Sequence, residues 1–246
     1  MITAIIQARM GSSRLPKKTL EKIEGQPLLW HVIQRIKSCK NVDNIVIATT
    51  LEKKDDTLEE FCKKNSLLYY RGSTNNVLDR FYQAAKLTNP TIIVRVTADD
   101  PFKDPEVTDR IVNELLKDNT LDYASNTIRP TFPEGIDIEA FTFKALETAW
   151  KDAKTDYEKE HVTPHMWQNL NKFKTKNITH PQDLSKLRWT IDYPEDMDFA
   201  KQVYKRLYKG GEIFKMQDIL QLLKQYPYLQ EINANIAQRT SFKQPP

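Results

Sequence analysis

The feature that most constrains the fold is a regular alternation of short β-branched runs with amphipathic helical patterns over the first half of the chain. The strand-like runs cover residues 2–6, 44–49, 67–70 and 91–97, and the helical patterns cover 28–36, 56–65, 77–87 and 105–117. Parallel strands need long crossover connections, which helices of this length provide. The alternation therefore predicts an α/β sheet with right-handed crossovers.

Two polar segments follow strands of this predicted sheet. The first strand runs into residues 7–18, Q-A-R-M-G-S-S-R-L-P-K-K, and the strand at 91–97 runs into residues 98–101, A-D-D-P. Ligands of open α/β sheets bind beyond the carboxyl ends of the strands. We therefore expect the cationic and the acidic segment to meet in space.

The loop at residues 7–18 has the composition of a polyphosphate site, although a solvated basic turn has a similar composition. A glycine beside serines lets backbone N–H groups approach an anion, and arginine and lysine donate charge-assisted hydrogen bonds to phosphate. The spacing G-x-x-x-x-G-K-[ST] is absent, so a Walker-type ATPase is not expected. The residues of this loop that we expect to contact phosphate are Arg9, Gly11, Ser12, Ser13, Arg14 and Lys18.

Composition limits the class of protein. Of the 246 residues, 39% are hydrophobic and 28% are charged, which indicates a soluble globular chain. The net charge is +4, but the lysines are scattered among 33 acidic residues, so we expect no nucleic-acid partner. The N-terminal apolar run is too short for a signal peptide or a membrane span. We expect one domain over residues 1–239 and a disordered tail at 240–246.

Cysteine and histidine do not indicate a metal site. Cys39 and Cys62 fall on predicted helices without metal-type neighbours, so we expect reduced thiols and a cytoplasmic location. His161 and His165 are four residues apart, but the pattern H-E-x-x-H is absent and a zinc site is not expected.

The pattern changes after residue 117 to shorter elements. Strand-like runs at 136–141 and 173–178 indicate a small antiparallel excursion over about residues 123–180 that covers the site. We expect a further strand at 187–192 that leads into a helix start at 194–196, where proline and two acids stand in the first turn, and then helices at 199–207 and 216–226.

Two aspartates, Asp99 and Asp192, each stand at the end of a predicted strand. A polyphosphate site needs cations, and commonly a divalent metal, to neutralise the charge of its ligand. Magnesium prefers one or two carboxylates together with water and phosphate oxygens, so two such aspartates suit it. Taken alone, the segments favour a turn at Asp99 and a helix cap at Asp192.

As strings, these segments resemble the cytidylyltransferase family, which makes CMP-activated sugars. The opening Q-A-R-M-G-S-S-R-L-P-x-K-x-L is most similar to the branch of the spore-coat polysaccharide biosynthesis protein F. The CMP-ketodeoxyoctonate and CMP-sialate synthetases are more distant relatives. Further matching segments lie at residues 71–80, 98–101, 131–139, 160–164 and 192–196, and the resemblance covers most of residues 1–198.

The resemblance implies a Rossmann-like fold of the nucleotide-diphosphosugar transferase type, also called GT-A-like, with a mixed sheet flanked by helices. It implies a Mg²⁺-dependent enzyme that joins CTP to a sugar acid, a nonulosonic acid or a related keto-sugar, and releases pyrophosphate. The product would serve surface polysaccharide synthesis. The resemblance also implies a homodimer with its interface around residues 130–180.

The resemblance assigns roles residue by residue. The catalytic residues it implies are Arg9, Arg14, Lys18 and Asp99, and the Mg²⁺ ligands are Asp99 and Asp192, with Asp100 behind them. The nucleotide-binding residues are Ala8, Arg9, Gly11, Ser12, Ser13, Arg14, Lys18, Arg71, Ser73, Arg80 and Thr97. The acceptor-binding residues are Asp137, Glu139, Glu160 and His161, with Arg129 and Arg188 as candidates for binding a sugar carboxylate. A capped helix start explains the pattern at residues 71–80 equally well.

Two other functions stay open. A glycosyltransferase that consumes a nucleotide sugar uses the same sheet and metal carboxylates, although the trio Arg9, Arg14 and Lys18 exceeds the need of a diphosphate donor. A non-catalytic nucleotide-sugar binding module would bind its ligand without turnover.

The sequence departs from the family pattern at three places. Lys17 replaces the glycine that is usual in R-L-P-G-K, Ala98 replaces the glycine before Asp99, and Asn76 stands where aspartate is common. Lys17 adds charge near phosphate if its φ is negative, but it is strained if the backbone requires a positive φ.

Overall fold

The computed structural model describes residues 1–12 and 14–237, so Ser13 and the tail predicted at 240–246 lie outside the described residues. Strands β1 to β9 are Ile2–Gln7, Lys22–Ile23, Gln26–Pro27, Asn44–Thr50, Leu68–Gly72, Ile92–Thr97, Tyr123–Ser125, Glu139–Thr142 and Thr175–Asn177. Helices α1 to α9 are Leu28–Lys37, Asp56–Lys64, Val77–Lys86, Pro105–Lys117, Phe143–Asp152, Asp156–His161, Pro164–Gln168, Pro194–Leu207 and Met216–Gln225. Short 3₁₀ turns lie at Lys18–Leu20, Lys53–Asp55 and Pro227–Glu231.

Seven strands form one sheet in the order β5-β4-β1-β6-β8-β7-β9. β1 pairs in parallel with β4 on one side and with β6 on the other. β8 is the antiparallel member and lies between β6 and β7. The predicted α/β fold with a mixed sheet is therefore confirmed, and β2 and β3 form a small separate hairpin.

The region expected as an antiparallel excursion extends this main sheet. β7, β8 and β9 continue the sheet beyond β6, and β7 and β9 pair in parallel. The antiparallel contribution of the region is β8 alone among the strands of the sheet that the structure describes. Helix α6 and the segments around it then lie beside the cleft described below.

Both faces of the sheet are covered, and the pleat of the strands divides their side chains between two cores. Ala4 and Ile6 of β1 pack into one core and Ile5 into the other, and Val94 and Ile93 of β6 divide in the same way. Helices α1, α4, α8 and α9 cover the first face, and α3, α5 and α7 cover the second. Burial on two sides explains why these strands are apolar without polar alternation.

The strand predicted at 187–192 is wrong. The segment is extended, but its hydrogen bonds go to two separate parts of the chain instead of one neighbouring strand. The Trp189 amide donates to the carbonyl oxygen of Glu134 at 2.7 Å, and the Ile191 amide donates to that of Asp99 at 2.9 Å. The apolar pattern correctly indicated that Trp189 and Ile191 are buried. Their backbone amides are nevertheless bonded to two separate segments and not to a neighbouring strand.

The helix start predicted at 194–196 is confirmed, and α8 runs without a break from Pro194 to Leu207. Asp196 accepts the backbone N–H groups of Asp192 and Tyr193 at this start. α5 was not predicted, although the Thr142 side chain caps its first turn. No helix in the described part of the chain is long and apolar enough to span a bilayer.

Helix α1 carries a buried histidine. The Nε2 atom of His31 lies 2.7 Å from the carbonyl oxygen of Ile23, and its ring centroid lies 4.5 Å from that of Tyr204. Burial lowers the pKa of His31, and the charge of Arg35 lowers it further, against the hydrogen bond to Ile23. Folding therefore favours the neutral imidazole.

We expect this histidine to make stability depend on pH. Because the pKa is lower in the folded state, the unfolded chain binds the extra proton once the pH falls below about 6.5. The contribution is complete above that pH and is lost on acidification through the folded pKa. His31→Gln, which cannot titrate, should lose less unfolding free energy than the wild type between about pH 7 and about pH 5 in urea titrations.

His180→Gln provides the matched control, since His180 is only half-buried. This control should keep the wild-type pH dependence. Parallel stability curves for the wild type and His31→Gln would contradict the assignment.

Candidate functional site

The ends of the central strands define the floor of a large cleft. The ladder of β1 continues one residue past its end on both sides, since the Ala8 amide donates to Ala48 and the Ala98 amide donates to Gln7, each at 3.1 Å. The loops after β1 and β6 therefore leave the sheet side by side. They open into a cleft with a volume of about 1470 Å³, which also contacts residues 127–139 and 156–167.

The cationic loop and the acidic turn meet on one lysine, as expected from their positions after neighbouring strands. The Nζ atom of Lys18 lies 3.2 Å from Oδ2 of Asp99 and 3.0 Å from Oδ1 of Asp192. It also donates to the carbonyl oxygen of Ile191. Lys18 therefore connects three segments that are far apart in sequence.

This lysine is buried together with Asp192, whereas Asp99 is partly exposed. Burial lowers the pKa of Lys18, but the charges of Asp99 and Asp192 and the hydrogen bonds to both outweigh this effect, so the pKa of Lys18 is raised. The lysine thus stays an ammonium ion at physiological pH.

Asp192 contacts three cations. Besides Lys18, the Nη2 atom of Arg14 lies 2.9 Å from Oδ1 of Asp192, and Nη2 of Arg188 lies 3.5 Å from Oδ2. Arg188 in turn forms a bidentate ion pair with Asp196, with both distances 2.9 Å. The Arg188 side chain is 4% exposed, so this pair stabilises the site from behind rather than contacting a ligand.

A second group of cations in the cleft consists of Arg9 and Arg80. Arg9 and Arg80 both contact the cleft, and Nη1 of Arg80 donates to the carbonyl oxygen of Ser73 at 2.6 Å. Burial and, to a smaller extent, the charge of Arg9 lower the pKa of Arg80 to about 10, against the opposing charge of Asp55. Two neighbouring guanidinium groups, one of them buried, favour binding of an anion.

A buried lysine supports the acidic turn from below. The Nζ atom of Lys103 donates to Oδ2 of Asp100 at 2.7 Å and to the carbonyl oxygen of Asp137. The Thr97 hydroxyl donates to the same carboxylate at 2.5 Å. Burial raises the pKa of Asp100, and Lys103 opposes this effect. This contact fixes the turn that carries Asp99 to the loop that carries Asp137.

The same cleft contains most of the residues predicted to bind an acceptor. Arg129, Asp137, Glu160 and His161 all contact it. The rings of Tyr157 and His161 lie beside each other, with centroids 4.7 Å apart.

Glu139 also contacts the cleft, but its carboxylate is bound by the protein itself. It accepts hydrogen bonds from Tyr123 at 2.5 Å and from Thr163 at 2.6 Å, and it forms an ion pair with Arg95. Glu139 is therefore better placed to hold Arg95 than to accept a proton.

Four residues predicted to contact ligands are not brought to the cleft. Arg71 forms ion pairs with Glu59 at 2.5 Å and Asp56 at 2.8 Å, because helix α2 places both acids beside the strand that carries it. The Ser73 hydroxyl accepts the Asn76 amide at the start of α3. The remaining two are Gly11, which packs against Lys54, and Arg188, which pairs with Asp196.

The other predicted nucleotide residues, Ala8, Ser12 and Thr97, contact the cleft. Sequence reasoning did not single out Lys103 or Asp196. The spacing of Lys103 three residues after Asp100 was the available signal for the first ion pair. Asp196 was recognised only as part of a helix start.

The two aspartates beside Lys18 fit a divalent cation. Within residues 1–12 and 14–237, no group of three or more His, Cys, Asp or Glu side chains is arranged to hold a metal ion. Mg²⁺ uses one or two carboxylates and completes its coordination with phosphate and water oxygens. Since Asp99 and Asp192 converge on one ammonium ion, they suit a metal that arrives with a phosphate ligand.

A family model described as "Cytidylyltransferase" matches residues 3–238. An uncharacterised protein of Methanocaldococcus jannaschii is 38% identical over 243 residues, which is 97% of each chain. The spore coat polysaccharide biosynthesis protein SpsF of Bacillus subtilis is 33% identical over 233 residues, 92% of this chain and 95% of its own.

Two further similarities concern a solved structure and a more distant relative. The structure of a cytidylyltransferase from Leptospira borgpetersenii has a TM-score of 0.88 and 35% identity, and covers 96% of this chain and 98% of its own. The 3-deoxy-manno-octulosonate cytidylyltransferase of Pelobacter propionicus is 34% identical over 127 residues, 50% of this chain and 48% of its own.

We expect the loss of Asp196 to destabilise the protein. Asp196→Asn removes the charge opposite the buried Arg188, and breaking a buried ion pair in this way costs about 3 kcal/mol of unfolding free energy. Urea denaturation measures the loss. The neighbouring exposed Glu195 provides the control, and Glu195→Gln should unfold like the wild type. Equal stability of the two variants would contradict the role of Asp196.

Of the two backbone conformations considered for Lys17, the structure shows the strained one, a left-handed conformation with φ 63° and ψ 7°. Its amide donates to the carbonyl oxygen of Met10 at 3.3 Å, which closes the loop and holds this conformation. Lys17→Gly should raise the unfolding free energy by about 1 kcal/mol because the Cβ clash is removed. Lys17→Ala keeps the Cβ and should give no such gain. A gain of equal size in both variants would indicate a charge effect instead.

Proposed function

This chain belongs to the cytidylyltransferase family, and we propose that it joins CTP to a sugar acid to give a CMP-sugar and pyrophosphate for surface polysaccharide synthesis. A hydroxyl oxygen of the acid forms a bond to the α-phosphorus of CTP. The bond from that phosphorus to the oxygen that bridges to the β-phosphorus breaks, and pyrophosphate leaves with the bonding electrons. The hydroxyl proton passes to solvent or to a carboxylate of the cleft.

The observation that carries this proposal is the convergence of Lys18, Asp99 and Asp192 at the carboxyl ends of the parallel strands. Phosphoryl and nucleotidyl transfer depend mainly on positioning and on neutralising charge, so a site needs cations for the phosphates and carboxylates for a metal. Both kinds of group meet at this point.

The cations of the cleft have two different roles in binding a triphosphate. Arg9 and Arg80 form a positive surface that attracts the phosphates, and the charge they place together is relieved when an anion binds. Arg14 and Lys18 then neutralise the charge that develops on the leaving pyrophosphate. Ala8, Ser12 and Thr97 contribute the remaining wall beside the nucleotide.

Asp99 and Asp192 are the residues that would hold Mg²⁺. A bound Mg²⁺ neutralises phosphate oxygens and makes the α-phosphorus more electrophilic. The contact of Lys103 with Asp100 and with the Asp137 carbonyl positions the Asp99 turn relative to the acceptor loop.

The acceptor is proposed to occupy the part of the cleft that is lined by Arg129, Asp137, Glu160 and His161. Arg129 is a suitable partner for the carboxylate of a sugar acid, and Asp137, Glu160 and His161 offer hydrogen bonds to sugar hydroxyls. The likeness to a 3-deoxy-manno-octulosonate cytidylyltransferase over half of the chain supports a sugar acid as the substrate class. Asp137 contacts the cleft and is the candidate to accept the hydroxyl proton.

The number of cations in the cleft favours nucleotidyl transfer over glycosyl transfer. Arg9, Arg14, Lys18 and Arg80 all contact the cleft, and four cations suit three phosphates better than the two of a nucleotide sugar. The proposal includes a homodimer and a cytoplasmic location, which rest on the family resemblance and on two buried free cysteines.

Pyrophosphate release tests the proposal. The protein is incubated with Mg²⁺, each of the four nucleoside triphosphates and a panel of sugar acids, and we expect release with CTP and one acid. Asp99→Asn should slow this release by about 10²-fold or more, because it removes charge from the metal site. Asp192→Asn should do the same.

Asp198→Asn is the matched control, since Asp198 is exposed on α8 and lies outside the cleft lining. It should release pyrophosphate at the wild-type rate. Release with another triphosphate in place of CTP would contradict the proposed base. Tight CTP binding without release across the panel would overturn transfer and favour a binding module.

A further inference from the structure

Lys18 occupies the point at which the two carboxylates would hold a metal ion. Its side chain is 9% exposed, and its ammonium contacts Asp99 and Asp192 at 3.2 and 3.0 Å. An ammonium ion and a divalent cation repel each other strongly at such distances, and both attract the same carboxylate oxygens. The two cations therefore compete for these aspartates.

Asp192 is closely surrounded by cations. Its side chain is 3% exposed, and Lys18 and Arg14 both contact the same oxygen, Oδ1. Arg188 lies 3.5 Å from the other oxygen. A metal ion that approaches Asp192 must displace at least one of these cations to gain a carboxylate ligand.

The structure assigns a further role to Lys18 that rests on the proposed function: we propose that it is a counter-ion exchanged for metal only when a nucleotide enters. Without nucleotide, Lys18 holds Asp99 and Asp192 and keeps divalent cations out. When the metal–nucleotide complex enters, Lys18 moves to phosphate oxygens and releases the carboxylates to the metal.

The exchange follows from the cost of leaving a buried charge without a partner. A metal ion alone would take Asp99 and Asp192 from Lys18 and leave the ammonium with the Ile191 carbonyl, which is a poor substitute for two carboxylates. A triphosphate supplies new anionic partners at the same moment. The four-carbon stem of lysine permits the movement, since its ammonium is a point charge without a fixed geometry.

The ammonium of Lys18 pairs with both carboxylates at once, so it needs another anion before it can release them to a metal. Metal and nucleotide are therefore expected to bind together, and metal alone is expected to bind weakly.

Binding of Mn²⁺ to the protein without nucleotide tests this exchange. The free ion is measured by electron paramagnetic resonance, so no turnover is needed. We expect weak binding to the wild type and binding at least about 10-fold tighter to Lys18→Met, which keeps the length of the side chain and removes its charge. Lys22→Met, at an exposed lysine of β2, should bind like the wild type.

A second variant covers the case in which Lys18→Met fails to fold. The Arg14 side chain is 45% exposed, so Arg14→Gln is expected to fold, and it removes one of the two cations on Oδ1 of Asp192. Its Mn²⁺ affinity should rise in the same direction by a smaller factor. Equal affinity of wild type, Lys18→Met and Arg14→Gln overturns the exchange, as does tight Mn²⁺ binding to the wild type.

This result separates the exchange from the proposed reaction. Mn²⁺ binding is read without CTP or acceptor, so absence of pyrophosphate release leaves the comparison of affinities unaffected. Conversely, active enzyme with equal Mn²⁺ affinities would retain the proposed function and exclude the counter-ion role of Lys18.

Discussion

The parallel pairing of β1 with both β4 and β6 is the constraint from which the site follows. The register places Gln7 opposite Ala48 on one side and opposite Thr97 on the other, so β1 and β6 end level with each other. The cationic loop at residues 7–18 and the acidic turn at 98–101 are then neighbours because of the strand pairing alone. Burial on both faces makes a slip of this register costly, because it would move apolar side chains between the two cores.

The architecture was predictable from the sequence because it depends on local patterns. Helical spacing and β-branched runs identified α1 to α4 and β1, β4, β5 and β6 closely, and a Pro after Asp104 marked the start of α4. The segment at 187–192 was not predictable as a non-strand. Its apolar side chains are as buried as those of a strand, and only the tertiary structure shows that its amides are bonded to Glu134 and Asp99.

Contacts in the site were predictable where charged residues directly follow strands of the sheet. They were not predictable where the two partners come from segments that no sequence pattern connects. Lys18 and Asp99 were found because a loop and a turn follow neighbouring strands. Arg71 was expected to bind phosphate because arginine commonly does so, but it forms ion pairs with Asp56 and Glu59 of α2 instead. Asp196 supports Asp192 through Arg188, a relation that involves side-chain directions and no sequence motif.

The contact of Lys18 with Asp192 also has a consequence for how the protein reaches its final form. The two residues are 174 positions apart. Contacts of such separation form late, because a long stretch of chain must be ordered before its ends are held together. Lys18 can therefore meet Asp192 only after the chain has been synthesised past residue 192, although β1, β4 and β6, the strands that support its loop, are complete by Thr97.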